Sequence, residues 1–270
     1  MKLAELLKVV ESHWPLSLAE EWDNPGLVCG DSNQVVKRVL LTVDVTSEVL
    51  DEAIRAKADL ILAHHPFILK GVKNLALSTA KGSVIAKAIK ADVAIYAAHT
   101  NADNASDGVS ETLAELLSLL QIRPLVEVAP GLGAGRIGNL VDPTPIGNIA
   151  RHLAQALPAT TTGVRVTGEF NSCVRSVAVC GGAGDSLVDA AYEAGADVYI
   201  TADLRHHVVQ ETLERAKAEG RDFAFIDVSH WASEWMWLEV AAKKIKDEFE
   251  DLSVLVSDTR TDPWTFLVAN

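Results

Sequence analysis

The sequence predicts an α/β protein of two similar lobes with mostly parallel sheets, and three observations lead there. Short apolar runs alternate with amphipathic segments, one strand-helix-strand unit occurs twice, and the polar residues best suited to chemistry follow the apolar runs. A chain of 270 residues suits about two domains at roughly 150 residues each. With 49% hydrophobic and 23% charged residues it falls outside the disordered, fibrous and disulfide-dense classes.

Taken in order, MKLAELLKVVESHW sets Leu3, Leu6, Leu7 and Val10 at helical spacing, which predicts an amphipathic helix and not a signal peptide. Residues 36–44 read as a strand, 47–58 as a helix, 59–63 as a strand, 82–91 as a helix and 92–98 as a strand. A longer helix is expected over 106–122, capped by Ser106 or Asp107. Such alternation implies a parallel sheet with crossover helices. The Pro- and Gly-rich stretch over 123–147 is the candidate boundary, so the lobes are expected at 1–125 and 126–270, with the C-terminal segment free to pack back on the first.

Residues 36–63 lie without a gap on residues 174–201, with about a quarter of the positions identical, among them Val36 with Val174, Asp51 with Asp189, and Ala58-Asp59 with Ala196-Asp197. That similarity predicts an internal duplication. After the next strand of each half comes a histidine with a carboxylate four residues on, His99 with Asp103 and His230 with Glu234, so the alignment sets His99 against His230.

Three polar clusters follow apolar runs: His64-His65-Pro66, His99 to Asp103, and Ser229-His230 to Glu234. They are therefore expected at carboxyl ends of strands, where open parallel sheets place ligands. Imidazole and carboxylate are ligands for zinc, manganese, iron and nickel, and a histidine and carboxylate four apart share one face of a helical turn. Neighbouring histidines on a regular strand would point apart, but Pro66 ends the strand and frees both rings to turn inward. His64, His65, Asp103, His230 and Glu234 suffice for two divalent metal ions if one carboxylate bridges, and paired metals activate water.

Other motifs carry less. GGAGDS over 181–186 matches neither dinucleotide nor Walker loops and reads as a tight strand-to-helix turn. Ser229 lacks a nucleophile elbow. Trp231, Trp235, Met236 and Trp237 suit core packing or a subunit contact, and His206-His207 reads as a pocket or interface pair.

A formal charge of −13 repels phosphate backbones and anionic lipid, so neither nucleic acid nor membrane is an expected partner. No apolar run approaches 18 residues. Cys29, Cys173 and Cys180 are odd in number with no C-x-x-C spacing, which suits a reducing compartment and makes the cytoplasm the expected location.

EEWDNPGLVCG (20–30), LTVDVT (41–46), LAHHPFILKG (62–71), AAHTNAD (97–103), GADVYITADLRHH (195–207) and SHWASE (229–234) occur in an order that resembles the Nif-three-like family, often labelled GTP cyclohydrolase 1 type 2. The resemblance spans nearly the whole chain and the compact form of the family, without its inserted domain. It implies two α/β lobes with a dinuclear metal site between them and a toroidal homohexamer. By motif the metal ligands would be His64, His65, Asp103, His230 and Glu234, with Glu234 bridging, and His99 a ligand or proton carrier. Ser229 stands where the family usually has Gly, and Thr201-Ala202-Asp203 where it has Thr-Gly-Glu.

The function so implied is a dinuclear metal-dependent hydrolase acting on a nucleotide or related small molecule, in the cyclohydrolase case opening the guanine ring of GTP with release of formate. His99 is the expected proton carrier. A metal-delivery protein or ring-shaped scaffold would use the same five ligands without turnover. Single-stranded nucleic acid binding rests only on the tryptophan cluster.

Overall fold

The computed structural model describes residues 1–269, which divide into two compact units, Met1–Ala105 with Trp237–Thr261, and Ser106–Met236 with the residues from Asp262 on. The first unit contains α1 (Leu3–His13), β1 (Gly26–Cys29), β2 (Arg38–Thr42), α2 (Ser47–Ala56), β3 (Leu60–Ala63), α3 (Ala80–Lys90), β4 (Ala94–Ala97) and α4 (Thr100–Asn104). The second contains α5 (Val109–Leu116), β5 (Leu120–Ala129), β6 (Leu132–Pro145), α6 (Ile146–Ala156), β7 (Arg165–Val166), β8 (Cys173–Ala183), α7 (Val188–Glu193), β9 (Val198–Ala202), α8 (His206–Ala218) and β10 (Ala224–Asp227). Helix α9 (His230–Glu248) starts in the second unit and continues in the first, which β11 (Ser253–Val256) completes.

The first sheet has the order β1-β4-β3-β2-β11, parallel except for β1. Every residue of β3 and β4 is buried, the pattern of a parallel strand covered on both faces. Thr46 and Thr79 cap α2 and α3, their hydroxyls accepting from the backbone N–H of Val49 and Gly82. Val49, Leu50 and Ala53 of α2 then pack with Ile61, Ile85 and Ala88 in one core cluster. Removing such a buried leucine costs about 2–5 kcal/mol.

The second sheet, β5-β6-β8-β9-β10-β7, keeps a parallel centre of β8, β9 and β10 and is flanked by antiparallel β5, β6 and β7. The Pro- and Gly-rich stretch is the β5–β6 hairpin of this sheet. Its turn uses Gly131 at φ +76°, and a Cβ on Gly133 would collide with the Val126 carbonyl across the ladder.

The helix expected over 106–122 is shorter than its apolar spacing suggests. Asp107 sits at φ +54° and Gly108 is the cap, in place of Ser106 or Asp107. Ser118 and Gln121 adopt φ of +54° and turn the chain out, so Leu120–Ile122 enter β5. Over so few residues an apolar run fits either period.

The duplicated unit has one register in both halves. Val39, Leu40 and Leu41 pair with Leu60, Ile61 and Leu62, and Val177, Ala178 and Val179 pair with Val198, Tyr199 and Ile200. The next strand departs from the sequence alignment, because Leu60 pairs with Ala94 and its counterpart Val198 with Ala224. Counting on, His99 corresponds to Ser229 and Thr100 to His230. The helix agrees: Asp103 N–H donates to the His99 carbonyl and Ser233 N–H to that of Ser229, both at 3.0 Å. The second histidine thus stands one position further into its helix than the matching motifs imply.

Candidate metal centre

In the first unit, His64 and His65 leave the end of β3 and His99 leaves the end of β4. The strand does stop before Pro66, and both rings turn to the same side, with centroids 5.0 Å apart and 5.2 and 5.4 Å from His99. One nitrogen from each of the three rings lies within 4.8 Å of the others. Asp103, one turn into α4, brings Oδ1 to 3.7 Å from His64 Nε2.

In the second unit, His230 opens α9 and Glu234 follows one turn on, with Nε2 and Oε1 3.0 Å apart. Glu234 is buried. Its carboxylate occupies space that a Cβ on Gly182, at φ +66°, would take, so this glycine at the end of β8 makes room for the acid.

The orientation of the four rings is the most informative feature. His64 Nδ1 lies 2.9 Å from the Ala98 carbonyl, His65 Nδ1 2.8 Å from Asp44 Oδ1, His99 Nδ1 2.8 Å from Asp23 Oδ1, and His230 Nδ1 2.7 Å from Asp203 Oδ2. A carbonyl or carboxylate oxygen can only accept, so in every case Nδ1 carries the proton and donates it. With Nδ1 so engaged, each ring has Nε2 as its remaining nitrogen, which in His230 faces the Glu234 carboxylate, and the acceptor behind Nδ1 holds the ring in place. This donor set, imidazole Nε2 with carboxylates, fits zinc, iron, manganese or nickel.

The three supporting aspartates were absent from the sequence-derived set. Asp23 sits in EEWDNPG, Asp44 ends the LTVD run and Asp203 follows β9. A carboxylate just past a strand at the same edge as a histidine was the available signal for Asp44 and Asp203. For Asp23 nothing local marks it, since its partner is far along the chain. Its side chain is 0% exposed. Burial by itself raises the carboxyl, but hydrogen bonds from His99 and from the Thr100 hydroxyl and N–H outweigh that and hold its pKa at about 2. The bond from His230 lowers Asp203 against its own burial.

Of the weaker motifs, GGAGDS is the strand-to-helix turn expected. Trp231 and Trp237 are buried, and Trp237 meets Trp14 edge-on at 5.1 Å, as a core reading requires. His206 lines a pocket of the second unit. Among the described residues no helix is long and apolar enough to cross a membrane.

Comparison with known proteins agrees over the full length. The family model for Duf34/NIF3 (NGG1p interacting factor 3) matches residues 1–263. A GTP cyclohydrolase 1 type 2 homolog of Streptomyces coelicolor is 45% identical, covering 100% of this chain and 95% of that protein. One from Mycobacterium tuberculosis is 31% identical over 373 residues, covering 98% and 97%, and so carries residues with no counterpart here. A Bacillus cereus protein related to NIF3 superposes with a TM-score of 0.89 at 27% identity, covering 99% of each chain. By sequence and by fold, this chain belongs to the Duf34/NIF3 family.

Proposed function

We propose that this protein is a metal-dependent hydrolase of a nucleotide or related small molecule. His64, His65, Asp103, His230 and Glu234 would hold two divalent ions, zinc, iron, manganese or nickel. The observation that carries this reading is the uniform presentation of Nε2 by four histidines, each backed at Nδ1 by an acceptor. A structural histidine needs no such arrangement, whereas a ligand does. The names of the relatives support the cyclohydrolase form, in which water is consumed and formate released from GTP. In the same proposal the chain forms a toroidal homohexamer and works in the cytoplasm, the latter in keeping with the lack of a disulfide among Cys29, Cys173 and Cys180.

Bound divalent ions lower the pKa of water from about 15.7 to near 7 and polarise substrate oxygen. The chain supplies the rest. With Nδ1–H committed to Asp23, His99 offers Nε2 as the proton acceptor, and the buried negative charge of Asp23 stabilises the imidazolium formed. His99 then returns the proton to the leaving group.

The test measures metal content and GTP turnover together on the wild type, Glu234→Ala and the isosteric Glu234→Gln, detecting formate and phosphate. Two metals with formate release, both lost in the variants, is the expected result. Two metals with neither product overturns the GTP reading and moves the weight to another substrate or to metal handling.

A further inference from the structure

The second unit contains a cavity of about 420 Å³, within the range of roughly 300–1,000 Å³ usual for small-molecule sites. Its wall is apolar, built by Leu204, Leu213 and Phe225, while Arg165, His206 and Gln210 stand at its exposed edge. Arg165 pairs there with Asp227 yet keeps 70% of its side chain exposed, so it can turn to a second acceptor. His206 opens the 13-residue α8, so the positive end of that helix faces the same edge. Asp227 lines the same cavity, so the mouth carries the Arg165–Asp227 ion pair above an apolar floor, with the guanidinium the one cationic side chain among the described lining residues.

The cavity adjoins the His230 cluster through the backbone. Asp203, at φ +55°, directs its carboxylate to His230, and the next residue, Leu204, forms cavity wall. We propose that this cavity binds a small organic anion with an apolar or aromatic body, its head at Arg165 and its body against Leu204, Leu213 and Phe225. Only the step from binding to turnover rests on the metal reading above: the bound molecule would present its polar end beside Asp203 and His230.

The probe is 8-anilinonaphthalene-1-sulfonate, an aromatic body with one anionic head, titrated by fluorescence into the full-length protein. Saturable binding at one site is expected. Arg165→Gln weakens it about tenfold, the order of one charge-assisted hydrogen bond, and leaves the uncharged N-phenyl-1-naphthylamine unaffected. Gln210→Trp, placed from an exposed helical position, fills the cavity and weakens both probes. Non-saturable binding, or affinities unchanged in both variants, overturns the proposal, and equal weakening of both probes by Arg165→Gln overturns the anionic head. Metal content of the same samples separates the two readings. A wild type that takes up no metal but holds the sulfonate through Arg165 keeps the cavity and removes the hydrolase, and normal metal content without probe binding does the reverse.

Discussion

In the first unit Asp59 Oδ2 accepts from the backbone N–H of Lys37 at 2.7 Å and Arg38 at 2.9 Å, and in the second its counterpart Asp197 accepts from Arg175 and Ser176, both at 2.8 Å. The helix ends match as well: Lys57 and Gly195 both adopt positive φ, and Ala58 and Ala196 both donate back to the Ala53 and Ala191 carbonyls. What stands on this shared backbone has been exchanged. Where the first unit has Asp44 behind His65, the equivalent positions of the second hold Gly182 and Asp203. Gly182 admits Glu234, and Asp203 supports His230. The clamps and helix ends are thus shared by the two units, while the residues at the strand ends differ and give each unit its own polar cluster.

Several substitutions would break or sharpen that comparison. The largest effect is expected from Gly182→Ala, which restores a Cβ at the position of Asp44. It forces Glu234 aside and strains a positive φ, lowering metal affinity by about 100-fold or more and stability by about 1–3 kcal/mol. Calorimetric zinc titration and urea unfolding measure both, and an unchanged zinc affinity would remove Glu234 from the ligand set.

Next comes the pH response of the buried supporter in the first unit. The Asp23 carboxyl falls from an ordinary 3.8 to about 2 on folding, so its contribution is full above 3.8 and is lost as pH falls through about 2. That contribution is about 2 kcal/mol. The stability gap between metal-free wild type and Asp23→Asn should therefore be present at pH 6 and close progressively in acid. A gap independent of pH would show that the charge of Asp23 is not what matters.

Supporters differ in exposure between the units, 35% for Asp44 and 62% for Asp203. Asp44→Asn should lower zinc affinity about tenfold, and Asp203→Asn by less, since water can replace a partner at an exposed site. The reverse order would mean that the second cluster dominates binding.

The smallest effect concerns the matched helix ends. Lys57→Gly should raise stability by about 1 kcal/mol, because a side chain at φ +55° is strained where its counterpart is already glycine. Urea unfolding of this variant beside Gly195→Ala, which should lose a similar amount, tests whether the two caps are energetically equivalent.

Much of the framework was legible because it rests on local chemistry. The spacing of Leu3, Leu6, Leu7 and Val10 marks α1, and all four are buried. The apolar runs of β2, β3, β4 and β10 mark parallel strands, and Pro66 marks where the histidine pair leaves the sheet. The hairpin over 123–147 was less legible, since its prolines and glycines read as a linker although they serve a tight turn and a close approach across the β5–β6 ladder. The one-position offset between His99 and His230 was hidden for a related reason. Matching motifs align by residue type, whereas register is set by backbone pairing with β3 and β9.

By itself the sequence determined the fold class, the duplicated unit, the family and the identity of the histidines and carboxylates at strand ends, all of which are written in spacing and residue type. Only the tertiary structure decided which aspartate backs which ring, that Nε2 is the presented nitrogen in every case, and that Gly182 is a space for Glu234. Those facts depend on hydrogen bonds and close approaches between segments as far apart as Asp23 and His99, and no local pattern encodes a distance across the fold.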